Sequence, residues 1–296
     1  MHKYMRAIGF SNLKDRNDVR NLINGIVRSA SLREFTANDK GVIVAEFSKD
    51  YANNMGIAVC GELDEETRFS YDYYFPYLRP TNISSNEEIC IERHTALESY
   101  VGICDETRVG VSLIFYVQNR IPYINKICRE KNPEKNATLS LSGLSLQGKI
   151  MMPIMKSEKT ITRIKKDTQK RNSLIAAARN GDTDAMEALA LQDMDIYSYI
   201  SKNMTKVDVY TMVDTYFMPY GVECDQYSVL GEILECNLVV NSLTEEEVYH
   251  LTVECNDLVF DVCINKMDLE GEPAKGRRFK GSIWLQGYLN YDGDPA

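Results

Sequence analysis

Few residues in this chain are of types that do chemistry, and their spacing narrows the chemistry further. Its 296 residues include three histidines, His2, His94 and His250. A Ser-His-Asp or Cys-His site would have to use His94 or His250, and neither is accompanied by a G-x-S-x-G nucleophile elbow. Metal binding calls for H-E-x-x-H, paired histidines or closely spaced Cys and His, and none of these occurs. No metal and no cofactor is therefore expected. His250 falls on the polar face of the alternating run 248–253 and His94 at a strand end, so both read as ordinary surface or hydrogen-bonded side chains.

The best local candidate is the segment from Gly271 to Gly281, G-E-P-A-K-G-R-R-F-K-G. It opens as G-x-x-x-x-G, but Arg277-Arg278 stands where a P-loop needs Lys and a hydroxyl to reach phosphate and magnesium. What is left is a glycine-flanked loop with four cations, Lys275, Arg277, Arg278 and Lys280. Guanidinium forks there suit a carboxylate or phosphate. The plainer reading is a hairpin loop whose charges neutralise Asp268, Glu270 and Glu272. Glu223 and Asp225, two apart, read as sharing a strand face and could hold magnesium or act as an acid–base pair. In a segment this acidic, such pairs also arise by chance.

Charge is distributed unevenly. The net charge is −9, yet residues 120–180 carry 14 basic against 4 acidic groups, and residues 181–272 carry 3 against 20. The basic run (Lys126, Arg129, Lys131, Lys135, Lys156, Lys159, Arg163, Lys165, Lys166, Lys170 and Arg171) could face phosphates. Single-strand binders interleave aromatics for base stacking, and none occurs from 124 to 196. The acidic half would also repel nucleic acid. Complementarity between the two halves, or plain solvation, is the expected role.

These residues must be placed by elements of both periods. Residues 3–10 read as a short strand and 13–29 as a helix with Ser11 or Asn12 as N-cap. Runs 41–47, 55–63, 69–75, 89–92, 100–104, 109–118 and 138–154 read as strands. A basic helix over 159–179 ending at Asn180-Gly181, with a second from Asp184, makes a helical hairpin. A further helix at 204–215 precedes strands to 291. The eight cysteines form no C-x-x-C, and a chain of this length needs no disulfide staples, so reduced and mostly buried thiols are expected. With no secretory h-region and no apolar run near 20 residues, the protein is expected to be cytoplasmic, without a membrane partner.

Three blocks occur twice in the same order: Asp18-Val19 with Asp208-Val209, the ungapped match of 59–69 to 239–249, and Leu146-Gln147-Gly148 with Leu285-Gln286-Gly287. They suggest an internal duplication. The fold expected is thus α+β, with two related modules, each a helix on an antiparallel β-sheet, joined by a helical hairpin segment. The boundaries are 1–155, 156–200 and 201–296.

Several stretches carry a family resemblance: Met1-His2-Lys3-Tyr4, Arg6-Ala7-Ile8-Gly9-Phe10, Gly221-Val222-Glu223-Cys224-Asp225, Gly276-Arg277-Arg278-Phe279-Lys280-Gly281 and Trp284-Leu285-Gln286-Gly287. Together they resemble a Firmicutes family of proteins of about this length, catalogued as a domain of unknown function. The resemblance implies a bacterial cytoplasmic origin and carries no activity or catalytic residue with it. The function expected is a non-catalytic binding or scaffold protein, its partner another protein or a second copy of the chain. The alternative is an enzyme or sensor for a small anion at the Arg277/Arg278 loop.

Overall fold

The computed structural model describes residues 2–13, 15–94, 98–153, 214–222 and 224–291, with parts of 170–194. It opens on a 3-10 helix, Lys3–Ile8, that buries Tyr4, Met5, Ala7 and Ile8. Gly9 ends it at φ 86°, where an L side chain is strained; an added Cβ would also stand 3.0 Å from the Asn241 Cβ. Helix α1, Arg16–Ser29, starts at Asp15, whose carboxylate accepts the Asn17 and Asp18 N–H groups. Asp18 answers by accepting the Asp15 N–H, a reciprocal capping box. Ile23 and Ile26, three apart, are its buried face and pack on the first sheet.

That sheet is an antiparallel meander of β1 (Leu32–Ala37), β2 (Ile43–Ala52), β3 (Met55–Leu63) and β4 (Phe69–Leu78), in that order. The inner strand β3 is buried continuously from Met55 to Gly61, so its sequence reads as an unbroken small and apolar run. Pro76 lies in β4, an edge strand, where a missing N–H is tolerated.

Ten strands form the second sheet. They begin with β5 (Ile89–Arg93), β6 (Tyr100–Glu106) and β7 (Val111–Val117), followed by the short helix α2 (Arg120–Ile127) and β8 (Ala137–Met151). The remainder are β9 (Tyr216–Pro219), β10 (Gln226–Val240), β11 (Glu247–Cys255), β12 (Leu258–Asn265), β13 (Leu269–Glu270) and β14 (Arg278–Tyr291). Five of these strands close on themselves. β10 pairs β11, β11 pairs β12, β12 runs parallel to β8, β8 pairs β14, and β14 returns to β10. Closure leaves no free edge among the five. One apolar core draws on every strand of the ring, with Leu141, Val229, Val253, Phe260 and Leu285 all fully or nearly fully buried. A second core joins the four-stranded sheet to the ring through Leu144, Val248, Cys263 and Trp284.

Two buried polar junctions hold these parts together. At the first, the Gln286 amide donates to the Pro76 carbonyl (2.8 Å) and accepts from the Leu78 N–H and from Gln118 Nε2 (2.7 Å). The side chain thus continues the hydrogen-bonding edge of β4 onto the barrel. At the second, Arg120, 2% exposed, donates to Glu46 Oε2 (3.0 Å) and to the carbonyls of Ala45 (2.7 Å) and Glu98 (3.3 Å). Burial pushes the Glu46 carboxyl up, against the lowering pull of Arg120.

The expected pair of helix-on-sheet modules is not what forms. Among the described residues the chain builds a four-stranded sheet and a ten-stranded sheet with few helices, and β8 closes its barrel with strands that lie beyond residue 225. The two look-alike turns do resemble each other locally. Asp64 accepts the Glu66 and Arg68 N–H groups, and Asn241 those of Leu243 and Thr244. One turn belongs to the four-stranded sheet and the other to the barrel. Gln286 is buried at the junction, whereas Gln147 is exposed. The third block, around residue 208, lies outside the described residues. The strand expected at 3–10 is the 3-10 helix, and β1 and α2 were not anticipated. Described parts of 170–178 and the run 183–191 are helical around Gly181, as a hairpin there requires. Among the described residues no helix is long and apolar enough to cross a membrane.

Candidate functional site

β14 changes partners along its length. Its first half, Arg278–Trp284, pairs with β10, and further on Gln286 and Gly287 pair with β7. At the branch, Gly287 leaves room for the Phe115 ring, which a Cβ would meet at 2.3 Å. Below the branch β7 has left the ladder, and the Ile114 N–H is taken instead by the Tyr227 hydroxyl (2.7 Å).

This fork floors a groove of about 870 Å³, within the range of small-ligand sites. Val101 and Ile103 of β6 and Ile114 and Tyr116 of β7 form the floor, being register partners on one face. They are half-buried because the opposite face, with Leu113 and Phe115, fills the barrel core. One wall is aromatic. The Trp284 ring stacks on Tyr4 (5.3 Å, 19°) and meets His2 at 4.8 Å and Tyr116 at 5.4 Å. Its indole N–H donates to the Asp225 carboxylate at 2.6 Å, while the Asp225 carbonyl accepts the Leu285 N–H. The 220–225 loop is thereby fixed as the opposite wall, with Val222 99% exposed on its rim. Arg93, held by Glu98 at 2.6 Å, and His94 close one end. Burial drives the Tyr116 hydroxyl far above the ordinary phenol range, so it stays protonated. What the groove offers is apolar contact, ring faces and hydrogen bonds.

The residues singled out from sequence fall in several places. His2, His94 and Asp225 come together in the groove, with Cys224 beside them. Asp225 lies in a turn before β10, and Glu223, expected to share a strand face with it, lies outside the described residues. His250 is not on a solvated face: it is buried, 3.5 Å from Asp261, which also accepts from Thr81 and Thr252. In the glycine-flanked loop Lys275 is exposed and Lys280 half-buried. Arg277 donates to the Glu272 carbonyl (2.6 Å), and the buried Arg278 donates to those of Met152 (3.1 Å) and Asp214 (3.2 Å). The two guanidinium groups thus hold main-chain oxygens from different segments. Of the basic run, Lys126 lies 4.4 Å from the Tyr291 ring centroid and Lys135 pairs with Glu88. Lys156, Lys159, Arg163, Lys165 and Lys166 lie outside the described residues.

The groove's aliphatic floor was not legible beforehand, because Val101, Ile103 and Ile114 alternate as any half-buried strand does. The one usable signal was the single tryptophan, adjoining Leu285-Gln286-Gly287. All eight cysteines are free, with Cys60, Cys104, Cys255 and Cys263 buried and Cys90, Cys128 and Cys224 exposed.

Comparison with curated proteins and with solved structures returns no match. A family model described as a domain of unknown function, from an E. rectale gene description (DUF3881), matches residues 5–287. That span takes in the four-stranded sheet and nearly all of the closed barrel, with the floor of the groove, and on it the chain belongs to the DUF3881 family.

Proposed function

We propose that this is a non-catalytic binding protein of the bacterial cytoplasm and that the groove at the β-sheet fork is where its partner sits. The partner is a polypeptide that lays apolar side chains along Val101, Ile103 and Ile114, between the N-terminal 3-10 helix and the 220–225 loop. The observation that carries this reading is the preformed concave face itself: a half-buried aliphatic floor beside an aromatic wall whose tryptophan is anchored at 2.6 Å to the facing loop. Interfaces favour such rings, which give large contact area and a polar atom to orient it. Eight free thiols fit a reducing compartment.

The test is native mass spectrometry of the protein purified gently from its own host, beside an Ile103→Glu variant checked for folding by circular dichroism. A polypeptide retained at fixed stoichiometry by the wild type and lost from the variant supports the reading. A polypeptide retained equally by both refutes the site, and a small molecule lost from the variant reassigns the groove to a small ligand.

A further inference from the structure

A second concavity, of about 510 Å³, lies on the far side of the N-terminal segment, between α1, β2 and the β10–β11 turn. Its wall is apolar, from Phe10, Leu13, Leu22, Tyr51 and the 58% exposed Leu243. The cleft opens to solvent along one side. Its frame is tied together by hydrogen bonds on several sides. Asn241 donates to the Ile8 carbonyl, Thr244 to that of Gly9, and the Ser242 N–H to that of Tyr51. Ser11 donates to Glu246 through both its N–H and its hydroxyl.

Two further features point to an occupant. Gly25 lies in the interior of α1 and lines the cleft, and an added Cβ there would meet nothing within 4 Å. Glycine in a helix interior is less favourable than alanine, and no neighbour in the chain demands it here. The omitted methyl leaves the helix backbone open to whatever enters. Lys49, on the same wall, donates to the Ser29 hydroxyl (2.8 Å) and stands 5.7 Å from the Tyr51 ring centroid. Among the described residues it pairs with no carboxylate. Asp18, which also lines the cleft, accepts the Asp15 N–H at the helix cap.

We infer that this cleft binds a small amphiphile with one negative charge, its hydrocarbon body along Leu13, Leu22 and Tyr51, its backbone approach over Gly25 and its head group on Lys49. This site is separate from the groove at the fork.

Decanoate and decanol, below micellar concentration, are suitable probes, with binding read by equilibrium dialysis. Decanoate should bind at least tenfold more tightly than decanol. Gly25→Leu, which fills the cleft, should lose decanoate at least tenfold, and Lys49→Gln should bring decanoate down to the level of decanol. Gly25→Ala should raise the melting temperature by about 2 °C, as helix propensity alone requires, showing that glycine there is not kept for stability. No decanoate binding, equal affinity for both probes, or unchanged affinity in the leucine variant would each overturn the assignment. If the leucine variant fails to fold, the lysine variant decides alone.

Discussion

Arg120→Met is the most exacting test of how the two sheets are joined. The guanidinium is 2% exposed and its partner Glu46 is 8% exposed, so the substitution leaves a buried carboxylate whose one other side-chain donor among the described residues is the Cys60 thiol at 3.6 Å. Breaking a buried ion pair from one side costs about 3–5 kcal/mol, a large part of the roughly 5–15 kcal/mol by which domains are stable. The carboxylate can escape part of that cost by taking up a proton. Burial already raises Glu46, and without Arg120 to oppose it the folded-state pKa rises further above that of the unfolded chain. A raised carboxyl makes the native state bind the extra proton, so the variant's stability falls as pH rises above the ordinary carboxylate range. Urea unfolding at pH 8, followed by circular dichroism, should show a loss of about 3–5 kcal/mol. At pH 5.5 the loss should be clearly smaller. Glu46→Leu combined with Arg120→Met should recover most of it, since both charges are then gone. A loss below about 1 kcal/mol at pH 8, the worth of an exposed pair, would refute the reasoning, as would a deficit that does not shrink on acidification.

Three further outcomes follow from the geometry. Glu34 sits directly across from Glu46 in the β1–β2 ladder, and burial first, then that neighbour, pushes it up to about 7. Its contribution is therefore present below about pH 4.5 and is lost as pH rises through about 7, and Glu34→Gln should flatten the fall in melting temperature over that window. Gln286→Leu leaves the Pro76 carbonyl and the Leu78 N–H unanswered inside the protein, while Gln118 keeps the Leu78 carbonyl and the Ser142 hydroxyl; it should cost about 3 kcal/mol and, in hydrogen exchange, release amides of β3 and β4 before those of β11 and β12. Asp15→Ala removes the α1 cap and should cost about 1 kcal/mol in denaturant titration.

Local elements were readable where burial follows period. Met55–Leu63 falls at the anticipated bounds, and β4 through β8 lie within a few residues of theirs. β1 is illegible because in the edge strand Leu32–Ala37 the better covered positions are the polar Glu34 and Thr36, while Leu32 and Phe35 are exposed, so apolar residues do not mark its inner face. The 3-10 helix passes for a strand because six residues are too few to declare a period, although Tyr4 with Ala7 and Met5 with Ile8 repeat at its spacing of three. The α1 cap was placed too early; Ser11 and Asn12 are drawn instead to Glu246, a partner 235 and 234 positions away. Global pairing was hidden for the same reason. Nothing in 137–151 announces that its neighbours are 261–264 and 278–291, and a local likeness between two turns does not make a likeness between two modules. As for the site, His2, His94 and Asp225 were noticed one by one, but it is the fork in β14 that brings them together.

The closed ring also governs the order in which this protein can be made. Translation delivers β8 by residue 151, while both of its barrel neighbours lie beyond residue 257. Until β12 and β14 emerge, a fifteen-residue strand with Leu139, Leu141 and Leu144 waits with both ladders open. Such a strand is a template for pairing with other nascent copies. Contacts so distant in sequence make folding slow. The hairpins β10–β11 and β11–β12, local by comparison, can form first and present an edge onto which β8 docks. The hazard therefore lasts until the ribosome has delivered β14, and slowing elongation after residue 151 would prolong it.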